Sequence, residues 1–166
     1  MGLNHEKQFV QLFNQHSDAI FKFCFYRLED REKAKELTQE TFMRTWKLII
    51  NHTAIQYPKA ILYRIARNLI IDYIRRKKEL SLEKLQETAG DAIFRDDKNP
   101  SLDEIVDARL ALAKLSSENQ EACESIELKY LHGLKVKEIA DILEVSPNVI
   151  SVRIHRGLKY LKDLDA

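Results

Sequence analysis

The sequence predicts an all-α fold: two small helical domains joined by an acidic linker, the C-terminal one with a helix-turn-helix. Three observations predict it. Four Gly and three Pro in 166 residues are too few for a β-rich chain, which needs a turn roughly every ten residues. Apolar residues recur at three- and four-residue steps, the period of an amphipathic helix. Charge is also segregated. The formal net charge is only +1, yet residues 59–78 hold seven bases against one acid, 79–107 three bases against nine acids, and 129–162 seven bases against three acids. Two basic lobes flank an acidic middle.

Composition also excludes function classes. With 45% hydrophobic and 32% charged residues, the chain has the balance of a globular protein rather than a disordered one. No run of about 18 apolar residues could span a membrane, and residues 1–7 lack the charged start and apolar core of a secretory signal. Cytoplasmic localisation without membrane insertion is expected. Cys24 and Cys123 stand apart, with no CxxC or His/Cys cluster, so buried free thiols in a reducing compartment are expected. No Gly-rich phosphate loop, metal-ligand spacing or nucleophile constellation occurs, and His5, His16, His52, His132 and His155 are scattered. The expectation is a protein that is not an enzyme: no catalytic residue, no metal and no cofactor.

The N-terminal domain is expected over residues 1–78. From His5 to Leu28, Phe9, Leu12, Phe13, Ile20, Phe23, Cys24 and Leu28 recur at helical spacing, giving one long helix or two short ones. Asp30 is placed to cap a second helix. Its apolar stripe is Ala34, Leu37, Thr41, Thr45 and Leu48, widened by Phe42 and Ile49. Glu36, Gln39, Glu40 and Met43 lie opposite, and a methionine within a polar face suggests docking. A third helix, Lys59 to Lys78, follows Pro58. At 100° per residue, Leu62, Ile65, Ala66, Leu69 and Tyr73 cluster on one side, while Arg64, Arg67, Asn68, Arg75 and Lys78 lie on the other. A cationic face containing an amide suits phosphate neutralisation with base contact. In the loop before it, His52, Gln56 and Tyr57 could stack on or hydrogen-bond an unpaired base.

The linker is expected over residues 79–102, where Gly90 and Asn99-Pro100 interrupt any period. The C-terminal domain follows over 103–166. Residues 135–143 read as the first helix of a helix-turn-helix and Glu144-Val145-Ser146 as its turn. Ser146 is a good N-cap and Pro147 a natural first helical residue. The turn commonly carries Gly where Glu144 stands, and a left-handed residue with a Cβ costs about 1–2 kcal/mol. Ile150, Ile154, Leu158 and Leu161 form the expected buried stripe of the second helix. Asn148, Val152, His155, Arg156 and Lys159 face away, flanked by Ser151 and Arg153. Short and cationic side chains so placed suit a recognition helix in the major groove.

Taken together, the segments 35–46, 58–76 and Leu115 through the helix-turn-helix resemble bacterial RNA polymerase sigma factors of the extracytoplasmic-function (ECF) type. Residues 35–46 (KELTQETFMRTW) are similar to the core-binding helix of region 2, 58–76 to the helix that reads the minus-ten element, and the third segment to region 4, which binds the minus-thirty-five element. Ile61 stands where the family usually has Trp. Ser151 and Val152 stand where a basic and a small residue are frequent.

The resemblance implies that Glu36, Gln39, Glu40 and Phe42 belong to the polymerase-docking helix. It implies that Asn68 contacts a flipped promoter base, helped by the loop ending at Tyr57, with Arg64, Arg67, Arg75 and Arg76 on the strand backbone. Asn148, Ser151, Val152, His155 and Arg156 match the recognition face, with Arg153 on phosphate. The implied function is a dissociable initiation subunit that directs RNA polymerase core to promoters and assists melting. RNA polymerase core and promoter DNA are its partners, with room for an anti-sigma factor. The alternatives are a stand-alone helix-turn-helix regulator, which has no need of the two region 2 helices, and a helical interaction protein, which has no need of the recognition helix.

Overall fold

A computed structural model describes residues 2–83 and 102–165 of the chain. Among them the regular elements are all helical, and they fall into two compact units, one holding residues 2–83 and the other residues 102–165.

The first unit holds α1 (Gly2–Leu28), α2 (Arg31–Ile50) and α3 (Pro58–Glu83). α1 is one unbroken helix. The turn to α2 is tight: Glu29 takes a left-handed φ of 53°, and the Asp30 carboxylate accepts the Lys33 N–H at 3.0 Å, as its sequence position predicts. Three threonines on the packed face of α2 are buried without stranding a hydroxyl. Thr38, Thr41 and Thr45 donate to the carbonyls of Ala34, Leu37 and Thr41 at 2.6, 2.7 and 2.8 Å. Donation to the residue four back satisfies each hydroxyl inside the helix. Beside them Cys24 is buried. Burial raises its thiol pKa to about 11, against a lowering hydrogen bond with Thr38.

α3 departs from expectation twice. The buried set is Ala60, Leu62, Tyr63, Ala66, Leu69 and Ile70, whereas Ile65 and Tyr73 are only half-buried. Because α3 packs against both α1 and α2, its buried arc is rotated and widened to include Tyr63, whose ring meets Phe23 edge-on at 5.1 Å. The helix also runs to Glu83, which corrects the expected helix end at Lys78. Residues 77–83 contain no breaker, and Lys, Glu and Leu sustain a helix. The rest of the expected linker, 84–101, lies outside the described residues, and Leu102 already opens the next helix.

The second unit holds α4 (Leu102–Glu118), α5 (Gln120–Ile126), a π-helical turn (Glu127–Leu131), α6 (Val136–Leu143) and α7 (Pro147–Leu164). Asn119 caps α5 by accepting the Ala122 N–H at 3.0 Å. α6 ends on Glu144 at φ 56° and ψ 42°, the left-handed position that the sequence predicts. Ser146 then caps α7 through the Val149 N–H at 3.3 Å, with Pro147 at the helix start.

One member of the predicted α7 stripe is wrong. Leu158 is 41% exposed, and the buried position beside it belongs to Gly157. A Cβ at Gly157 would lie 2.5 Å from Ile126 Cδ1 and 3.3 Å from Ala122 Cβ. α5 and α7 therefore touch where a side chain is missing, and the stripe steps 150, 154, 157.

Candidate nucleic-acid interface

Three surfaces carry the residues singled out above. On α2, Glu36 and Gln39 are exposed and Glu40 is half-buried. Both carboxylates are in ion pairs within the helix, Lys33–Glu36 at 2.9 Å and Arg44–Glu40 at 2.7 Å. These residues, with Met43, form one wall of a groove whose other wall on α3 includes Asp72, Tyr73 and Arg76. Lys33 sits over the Tyr73 ring, 4.8 Å from its centroid, which ties the two walls together. Phe42 corrects the expectation of a direct polymerase contact. It is 2% exposed and packs edge-on against Phe9 and Phe13, so it joins α2 to α1 behind the exposed face.

On α3, Asn68 is exposed and Arg64 and Arg67 are half-buried. Arg75 and Arg76 are exposed. The Arg75 guanidinium pairs with Asp72 at 3.3 Å, so one acid of this basic helix offsets one of its cations. Gln56 and Tyr57 lie exposed just before the first turn of α3. His52, named with them for the same loop, is instead in ring contact with His5.

On α7, Asn148, Ser151, Val152, His155 and Arg156 are all exposed. Steps of three and four place them along one continuous face. The Ser151 hydroxyl donates to the Pro147 carbonyl at 3.1 Å, which leaves its lone pairs outward. Arg153 has a partner in another helix. Its guanidinium bonds the Glu121 carboxylate of α5 at 2.8 Å and its side chain is 19% exposed, so without DNA it braces α7 against α5. Glu121 was missed because no local pattern announces a partner in a different helix.

Two family matches cover these surfaces: Sigma-70 region 2 over residues 12–79 and Sigma-70, region 4 over residues 105–161. The chain belongs to the sigma-70 family.

Its type is extracytoplasmic-function. The chain is 32% identical over 157 residues to the "ECF RNA polymerase sigma factor SigE" of Mycolicibacterium smegmatis, covering 92% of this chain and 60% of that protein. It is 28% identical over 165 residues to the "ECF RNA polymerase sigma factor SigW" of Bacillus subtilis, covering 93% and 87%. In fold it is similar to the sigma factor RpoE of Bartonella quintana, solved in complex with the anti-sigma factor NepR. The TM-score is 0.73 at 24% identity, over 95% of this chain and 96% of that one. It is also similar to CnrH, solved with the cytosolic domain of CnrY, at TM-score 0.64 and 22% identity, over 96% and 88%.

Sigma factors direct RNA polymerase to promoters. The region 2 match disfavours the stand-alone regulator, since such a protein has no need of the two helices in residues 12–79. Among the described residues of this sigma factor, no helix is long and apolar enough to cross a membrane.

Proposed function

We propose that this sigma factor docks on RNA polymerase core through Glu36, Gln39 and Glu40 of α2. Asn68 then takes a flipped minus-ten base beside the loop ending in Gln56 and Tyr57. Arg64, Arg67, Arg75 and Arg76 hold the melted strand, and Asn148, Ser151, Val152, His155 and Arg156 read the minus-thirty-five element in the major groove. Residues 1–78 act as region 2, residues 79–102 as the linker and residues 103–166 as region 4. The observation that carries this reading is the pairing, in one chain and in this order, of an exposed amide on a basic helix with an exposed recognition face on a capped second helix. The factor works as a binding subunit in the cytoplasm, with the chemistry left to the polymerase. An anti-sigma factor is its proposed regulator, on the pattern of the RpoE complex.

The test compares duplex promoters with templates already open at the minus-ten element, using the full chain and core polymerase. Extracting a base costs a few kcal/mol, and an open template has already lost that pairing. Asn68→Ala is therefore expected to impair open-complex formation on duplex far more than on open templates. Arg156→Ala is expected to weaken both alike, since its groove contact does not depend on melting. Equal template dependence for the two variants would sink the assignment. Gln39→Ala combined with Glu40→Lys is expected to weaken core binding in competition while leaving the fold intact.

A further inference from the structure

Three residues at four-residue spacing on α1, namely His5, Phe9 and Phe13, each meet an aromatic ring. Phe13 packs edge-on against Phe42 with centroids 5.0 Å apart, and Phe9 against Trp46 at 5.3 Å. These two rungs join α1 to α2. The third rung has a different kind of partner. His5 meets His52 at 4.8 Å with the ring planes 66° apart, and His52 lies beyond the C-cap of α2, Asn51, at the start of the loop that leads to Gln56 and Tyr57.

The backbone at His52 sharpens the point. Its N–H donates to the Ile49 carbonyl at 3.2 Å, and the Thr53 N–H donates to the Leu48 carbonyl at 3.1 Å. This paired closure of a helix places its middle residue in the left-handed region and is usually made with glycine. His52 adopts φ 55°, where a Cβ is disfavoured. Backbone geometry alone would select glycine at position 52. A side chain held in that conformation points to a use for the ring.

We propose that His5 is a positioning residue for promoter recognition. Through His52 it fastens the mouth of the 51–57 loop to α1, and so sets where Gln56 and Tyr57 stand relative to α3. The inference deepens the assignment of that loop to the minus-ten base and rests on it. The top rung of the ladder thus holds a recognition loop, while the lower two hold helices.

The test uses the full chain in two measurements: amide hydrogen exchange of residues 52–57 in the free factor, and transcription with core polymerase on promoters varied at each minus-ten position. His5→Ala is expected to speed exchange in the loop and to flatten minus-ten discrimination about three- to ten-fold, the worth of one aromatic pair, with minus-thirty-five preference unchanged. His5→Phe keeps a ring on that rung and is expected to restore both.

His52→Gly separates positioning from mere capping. It relaxes the backbone, so the thermal midpoint is expected to hold or rise while discrimination flattens as in His5→Ala. Gln56→Ala combined with Tyr57→Ala removes the loop's own contacts. If that double variant loses discrimination and His5→Ala does not, or if loop exchange in His5→Ala is unchanged, the positioning role is overturned and the loop assignment stands. If neither variant alters discrimination, the loop does not read the base, and both ideas fall.

Discussion

Region 2 and region 4 of this factor close their interiors by opposite means. Region 2 is built from three helices of 27, 20 and 26 residues and fills the space between them with rings. Phe23 and Tyr63 are the largest side chains fully buried there, and the α1 ladder extends the aromatic packing toward the surface. Region 4 includes helices of only seven and eight residues. Its buried hydrophobic residues among those described are Leu, Ile, Ala and Cys, with no ring, and α7 meets α5 at a glycine. Short helices offer few side chains, so contact is gained by bringing backbones close; long helices can stand apart and be bridged. The lesson is that region 2 should be fragile to removal of atoms and region 4 to their addition.

The surfaces differ as well. In region 2 the cations of α3 lie with an exposed amide among them. In region 4 one arginine of α7 is tied to Glu121, so its charge is offset before any partner arrives. A basic stretch of sequence is therefore not equivalent to a basic surface.

The largest test of this contrast is Phe23→Ala. Emptying a fully buried ring site costs about 3–5 kcal/mol, and the single tryptophan, Trp46, lies in region 2. Denaturant unfolding followed by its fluorescence should shift by that amount. A loss below about 1 kcal/mol would show that the rings are not what holds region 2.

Next comes Gly157→Ala. A methyl 2.5 Å from Ile126 Cδ1 and 3.3 Å from Ala122 Cβ must displace the buried Ile126 side chain or part α5 from α7, and overpacking of this kind costs about 1–3 kcal/mol. Amide exchange in α5 and α7 should report it. Equal stability would mean that Ile126 simply rotates away, and that region 4 is less tightly closed than its geometry implies.

Smaller, and of opposite sign, are Glu29→Gly and Glu144→Gly, one in each region. Both residues sit at left-handed φ, 53° and 56°. Relief of about 1–2 kcal/mol of steric cost is partly offset by about 0.5–1 kcal/mol of extra glycine entropy in the unfolded chain. A net gain of roughly 0.5–1 kcal/mol is expected at each site by thermal unfolding. A loss at Glu144 alone would show that its side chain has a role in the turn that the backbone does not reveal.

The smallest stability effect is expected from Glu121→Gln, about 0.5 kcal/mol for a pair whose carboxylate is largely exposed. Its value lies in binding. With Arg153 released, promoter affinity should gain one phosphate contact and its salt dependence should steepen by about one counterion. An unchanged slope would place Arg153 permanently in the scaffold.

Much of the fold was legible in the sequence wherever the deciding interaction spans four residues or fewer. Asp30 and Ser146 were readable as caps because the N–H groups they satisfy lie three residues on. Glu144 was readable as a left-handed residue because the turn between two helical stripes requires one. The exposed face of α7 followed from the same periodicity, as did Asn68 on the outer face of α3.

What the tertiary structure decided is which neighbour each face meets, and how near. Helical periodicity gives the direction of a side chain but not the distance to the next helix. For that reason it assigned Leu158 to the interior where Gly157 belongs, left Tyr63 out of a core bordered by two helices, and offered Phe42 to a partner although it is buried against Phe9 and Phe13. The Arg153–Glu121 and His5–His52 contacts belong to the same class. Each joins residues distant in sequence, and contacts of that kind come into being only when the helices pack.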